Sequence, residues 1–143
     1  MRAEERRGFM LGFYDRWLSF LDIPVPVIAA IEGDCIGVAP IFACASDICL
    51  ADESANFQIT FASIGLFPGM ALSYFVPKIV GAQQAAIIMM AAEPFSGREA
   101  AGLGLVARST PKGGVHDAAL KLARQIASND PNLRCPSTVS LSS

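Results

Sequence analysis

The chain opens on a helical period. Phe9, Phe13 and Trp17 recur at i, i+4 and i+8 with Leu21 beyond them, which predicts an amphipathic helix over residues 3–21 whose aromatic stripe packs into a core. Pro24 and Pro26 force extended backbone before them and end it. Val27–Ile31 is apolar throughout, as in a strand buried on both faces. Gly33 breaks that run, Asp34-Cys35-Ile36 reads as part of a glycine turn with Asp34 in solvent, and Gly37 follows. Ala39–Ala45 is small and apolar, a short buried helix with Pro40 in its first turn, where a missing N–H costs little. Strand, glycine turn and helix start, in that order, can aim backbone N–H groups at an electron-rich ligand atom.

Further along, Ile48–Ala51 reads as a strand, residues 52–56 as a polar turn, and Phe57–Phe61 as a second, alternating strand. Pro68-Gly69 precedes a helix over about Met70–Val80, interrupted or shifted by Pro77, and Ala82–Ala92 reads as another. Ser96 and Glu99 have the spacing of a capping box for a short helix ended by Gly102 and Gly104. Leu105–Ala107 is a strand candidate, and Val115, Ala119, Leu122 and Ile126 mark one face of a last helix. From residue 129 on the pattern lapses, predicting an irregular tail over 129–143. Strands alternating with short helices make this an α/β chain of one domain.

Composition sharpens that picture in two ways. Apolar residues are 52% and charged residues 17% of 143, rich for a soluble domain, so an apolar surface is expected to meet a partner or a further part of a larger fold. A net charge of −2 argues against nucleic acid as a partner. No apolar run reaches the ~20 residues of a membrane span, and the start of the chain has no signal-peptide core. Four cysteines without a CxxC spacing, beside a lone His116 read as a surface residue, suggest reduced cytoplasmic thiols, no metal and no redox cofactor.

Several separate stretches then agree with one family. PVPVIAAIEGDCIG at 24–37, Ser46–Ile48, Ala55–Phe57, IGLFPG at 64–69, KIVG at 78–81 and SGREAAGLGLV at 96–106 resemble, in order and spacing, the crotonase (enoyl-CoA hydratase/isomerase) family over about residues 23–128. The resemblance implies a crotonase-like spiral of ββα units, present in part, over residues 1–128. It implies acyl-CoA thioesters as ligand and no cofactor besides, with a trimer, a hexamer or a mixed oligomer as assembly. It places one thioester-oxygen donor at Gly37 and Val38, the donor amide being that of Val38. The second donor lies in the family on an N-terminal strand that this chain lacks, as it lacks the C-terminal helices, so the chain reads as truncated at both ends. The residues 9–21 match a segment that lines the acyl pocket.

The same resemblance puts the two acid–base glutamates of hydratases at Ile41 and Phe61, and a third acidic position near Gly69. None of these residues can transfer a proton. Other pocket candidates are Cys35, Thr60, Pro68, Gly69, Ser73 and Tyr74, although hydroxyls such as Ser73 and Tyr74 equally suit helix capping. The implied function is acyl-CoA binding with little or no hydratase activity by this chain. The alternatives are an active hydratase or isomerase that uses non-standard groups or a partner chain, and a non-catalytic oligomer subunit.

Overall fold

A computed structural model describes residues 3–129, so the expected irregular tail falls almost wholly outside the described residues. Helix α1 (Ala3–Leu18) is followed by a 3-10 turn at Ser19–Asp22. Its ends suit its dipole, with Glu4 and Glu5 in the first turn and Arg16 in the last. The aromatic stripe is not core, contrary to its period: Phe9 is 66% exposed, Phe13 40% and Trp17 39%. The C-terminal half docks, where Trp17 and Phe20 lie 6.0 and 5.3 Å from the ring of Phe42 and Tyr14 reaches the Met70 amide.

The rest is built by repeating one unit. Strand β1 (Ile28–Ile31) passes through Glu32-Gly33 into β2 (Asp34–Ile36) and then α2 (Pro40–Ala45). Strand β3 (Ile48–Asp52) passes through a polar turn into β4 (Asn56–Gln58), and after a 3-10 turn at Ala62–Ile64 comes α3 (Leu72–Val80). The two copies stack in register: β1 pairs with β3 in parallel, Ile28 opposite Ile48, and β2 pairs with β4 in parallel, Cys35 opposite Phe57. Asp34–Ile36 is therefore a strand and not part of a turn. The pairing satisfies its backbone, and its alternation sends Cys35 inward while Asp34 and Ile36 stay exposed. Asn56 donates to the Asp34 carboxylate at 3.1 Å.

Helix α4 (Ala82–Ala86) runs into a π-helical turn at Ile87–Ala91, so the helix expected over 82–92 is not regular; Ala92 closes it in the left-handed conformation. Strand β5 (Phe95–Ser96), which has no sequence signal of its own, pairs antiparallel with β4. The capping box forms as expected and opens α5 (Gly97–Gly102): Ser96 accepts from the Glu99 amide, and the Glu99 carboxylate accepts from Ser96. The strand expected at Leu105–Ala107 falls slightly later, as β6 (Arg108–Thr110), although the Ala107 amide already bonds to Cys49. Helix α6 (Val115–Ala127) ends the described chain.

Two three-stranded sheets result, β1-β3-β6 and β2-β4-β5. Both faces of β3 are covered. Cys49 and Ala51 enter the main core with α2, α3 and α5, while Leu50 packs against Val115 and Ala119 of α6. Cys35, Cys44 and Cys49 all lie in that core as free thiols. Burial pushes Cys35 and Cys49 up to about 12, and Cys44 up further with the neighbouring Cys49 and Cys35 adding to the effect.

Asp52, fully buried at the end of β3, fastens α6 to the sheet. Its carboxylate accepts from the Gly113 amide at 2.8 Å, the Thr110 hydroxyl at 3.1 Å and the Val115 amide at 3.2 Å. These donors, the Gly113 amide first, hold its pKa below the ordinary carboxylate value against the opposing effect of burial. A depressed pKa stabilises the fold above the unfolded value of about 3.9, and that contribution is lost as pH falls through the folded value. Asp52→Asn is thus expected to melt earlier than the parent at pH 7, with the gap narrowing as pH falls below 4. Melting curves from pH 7 to pH 3 check this, and a gap that is constant with pH contradicts it.

Candidate thioester site

The glycine turn after β2 is built tightly. Gly37 has a φ of 69°, the left-handed region that favours glycine, and its amide donates to the Gln58 carbonyl at 2.9 Å. A Cβ on Gly37 would sit 3.6 Å from the Thr60 hydroxyl, so Thr60 stands against this turn. The Ala39 amide donates to the Ile36 carbonyl at 3.2 Å, and Pro40 has no amide to offer. Between them, the Val38 amide has no hydrogen-bond partner among the described residues. Val38 itself is 39% exposed. This is the donor position that the sequence singled out, and its neighbours are all engaged or absent.

The two positions expected for acids lie in contrasting surroundings. Ile41, in α2, is completely buried in the main core. Phe61 is half-buried at the entry to the 3-10 turn, not in a strand, since β4 already ends at Gln58. Its carbonyl accepts from the Ile64 and Leu66 amides at 3.2 and 2.9 Å, which folds the loop back on itself. That closure is what takes Phe61 out of the sheet.

The other candidates divide. Cys35 is core, with its thiol away from any exposed rim. Pro68 is buried and Gly69 half-buried beside Phe61. Met70 and Ala71 follow with φ of 55° and 59°, so α3 starts at Leu72 and not at Met70. It then runs through Pro77 unbroken, with the loss of the one amide that would have bonded to the Ser73 carbonyl. Ser73 and Tyr74 lie on the exposed side of α3, and neither caps it: the N-cap is Ala71, with no side-chain bond. Tyr74 instead meets Lys78, whose ammonium donates to its hydroxyl and lies 3.9 Å from the ring centre. Nearby, the Ser63 hydroxyl does close a turn, donating to the Thr60 carbonyl at 2.6 Å. His116 is on the surface of α6, as read from the sequence.

One residue of the site has no signal in the sequence. The Tyr14 hydroxyl, from α1, accepts from the Met70 amide at 3.1 Å, so helix and turn meet beside Gly69. Its place between Phe13 and Trp17 masks it, since there it reads as one more aromatic. Among the described residues no group of three or more His, Cys, Asp or Glu could hold a metal ion, and no helix is long and apolar enough to cross a membrane.

The architecture is a ββα spiral, and comparison with known proteins gives its family. The model of the enoyl-CoA hydratase/isomerase family matches residues 1–135. An uncharacterised protein of Caenorhabditis elegans is 36% identical over 107 residues, covering 75% of this chain and 40% of its own. A Mycobacterium tuberculosis protein named as a probable enoyl-CoA hydratase is 37% identical over 103 residues, 71% of this chain and 36% of its own. The crystal structure of an enoyl-CoA hydratase from Bacillus anthracis superposes with a TM-score of 0.81 at 29% identity, over 92% of this chain and 51% of that one. The chain belongs to the enoyl-CoA hydratase/isomerase family, has its crotonase-type α/β fold in part, and spans about half or less of the length of these relatives.

Proposed function

We propose that this chain binds acyl-CoA thioesters through the Val38 amide and has little or no hydratase activity by itself. The observation that carries the reading is the single unpaired amide at Val38, set in a turn whose other amides are bonded. A preorganised N–H costs no rearrangement when an oxyanion forms against it. The second half of the reading rests on Ile41 and Phe61, which stand where family members would carry acids. Two missing acid–base groups remove factors of about 10²–10⁴ each.

Large exposed apolar side chains favour a second role, that of a subunit in a homotrimer, hexamer or mixed oligomer. Phe67 is 80% exposed, Met90 77% and Ile64 68%. Apolar area exposed in one patch usually marks a surface that a partner covers. In such an assembly a partner chain could complete the site.

The test is crotonyl-CoA hydration by the purified chain, with butyryl-CoA binding measured in parallel by calorimetry. Binding without turnover is the expected result. Turnover near an ordinary kcat of about 10 s⁻¹ overturns the non-catalytic half, and absence of any thioester binding overturns the whole. Sedimentation of the same sample separates a monomer from an oligomer.

A further inference from the structure

The sheet β1-β3-β6 meets α2 through one face, where Cys49 and Ala51 point, and α6 through the other. On the α6 face, away from the turn at Val38, helix and β6 leave a groove of about 330 Å³ between them. That volume is near the lower end of the range of about 300–1,000 Å³ in which small-ligand pockets fall. The floor is apolar, made by buried Leu50 of β3 and half-buried Ala118 and Leu122 of α6. The rim carries Arg108 of β6 with Lys121 and Gln125 of α6, all three exposed.

Topology sets the two cations at one level. β6 ends and α6 begins at the same point, since the Thr110 hydroxyl and the Val115 amide both donate to Asp52. From there α6 runs back over the starts of β1 and β3, where Ile28 and Ile48 pack against its cluster. At about 3.3 Å per strand residue and 1.5 Å per helix residue, Arg108 lies ~7 Å back from Thr110 and Lys121 ~9 Å along from Val115. Leu50 is the register partner of Arg108, so the buried floor lies beside the cation. Neither cation forms an ion pair among the described residues, although Asp117 is one turn from Lys121. Two like charges with no counter-charge repel one another, and an anion set between them relieves that repulsion.

We propose that the β6–α6 groove binds a small amphiphilic anion, an aliphatic carboxylate of medium chain length. Its carboxylate oxygens lie between Arg108 and Lys121, and its chain covers Leu50, Ala118 and Leu122. An inorganic anion would leave that floor in water. The site is separate from Val38 and stands whether or not the chain binds thioesters.

The experiment follows the amide shifts of the isotope-labelled full chain during titration with sodium octanoate, with acetate and 1-octanol in parallel. Octanoate is expected to move residues 108–110 and 118–125 saturably and to bind about tenfold or more tighter than either control. In the double variant Arg108→Gln, Lys121→Gln it weakens about tenfold or more, the scale of a charge-assisted hydrogen bond. Both side chains are exposed and unpaired, so their loss leaves the fold intact. Ala118→Leu fills the floor and keeps the cations, so octanoate weakens there while acetate is unchanged. Acetate bound as tightly as octanoate overturns the amphiphile. Octanoate binding undiminished in the double variant, or shifts confined to the Val38 turn, overturns the site. β6 is the last strand of its sheet, so an extended peptide of alternating glutamate and valine is the remaining arm. If that peptide moves residues 108–110 and octanoate does not, the groove is a strand-docking edge and the ligand class is overturned.

Discussion

Gly97→Ala is expected to cost about 3 kcal/mol or more, or to prevent folding, on the upper side of what overpacking usually does. The added Cβ would lie 1.9 Å from the Asp52 carbonyl oxygen, 3.0 Å from its carbon and 3.3 Å from the Ala51 side chain. Two of those atoms are backbone of the central strand β3, which is paired on both sides and cannot step aside. Gly97 is also fixed from its own side, since its amide donates to the Ala55 carbonyl at 2.8 Å. A movement that relieved the contact would break that bond and displace α5, whose capping box starts one residue earlier. Gly102→Ala is the control. No atom lies within 4 Å of its would-be Cβ, and its φ is unremarkable, so alanine in this helix should be neutral or stabilise by up to about 1 kcal/mol. Thermal melts of the two variants, run together, decide the matter. Equal melting temperatures would mean that β3 gives way more easily than its pairing suggests.

The same position shows how far sequence reasoning reaches. The spacing of Ser96 and Glu99 announces the cap and the helix, because a capping box is local chemistry. Nothing in the sequence announces that Gly97 must clear the carbonyl of Asp52, which is far away along the chain. The long elements follow the same division. β1 and β3 are legible as continuous apolar runs, and α6 as a helical stripe of Val115, Ala119 and Leu122, since in each the pattern spans the element. β2 and β5 are three and two residues long, and β4, expected over Phe57–Phe61, runs only over Asn56–Gln58. They are strands because of one another, and a segment that contains Asp34 has no reason to be extended until Asn56 lies beside it. The turn after β2 is legible for a physical reason too, since Gly37 stands where a strand gives way to a helix and the backbone must bend. Tyr14 is not, because its role depends on where α1 lies against a turn more than fifty residues away. The aromatic stripe misleads for the converse reason: its period is real, but a helix docked by its C-terminal half leaves the rest of the stripe in solvent.

Ile41→Glu is the second large effect, and it bears directly on whether the missing acid can simply be restored. Ile41 is completely buried in the cluster that holds Leu72, Phe75 and Val76. The cluster is apolar apart from the weakly donating thiols of Cys35, Cys44 and Cys49, and burial without a strong partner raises a carboxylate's pKa. The expected cost at pH 7 is about 3–5 kcal/mol, enough to unfold a domain of ordinary stability. The sign with pH follows. A folded pKa above the unfolded value of about 4.3 makes the variant least destabilised below that value, and increasingly so as pH rises through the folded pKa. Phe61→Glu makes the contrasting variant. Phe61 is half-buried at a turn, where a carboxylate can keep part of its hydration, so a loss of about 1–2 kcal/mol is expected. Denaturant melts at pH 4 and pH 7 compare the two. If Ile41→Glu were as stable as Phe61→Glu at pH 7, α2 would have to turn its first helical turn toward solvent, and the unpaired Val38 amide would then lose the rigid support that suits it to an oxyanion. The core around Ile41 thus both holds the start of α2 in place and excludes a charged side chain from this position.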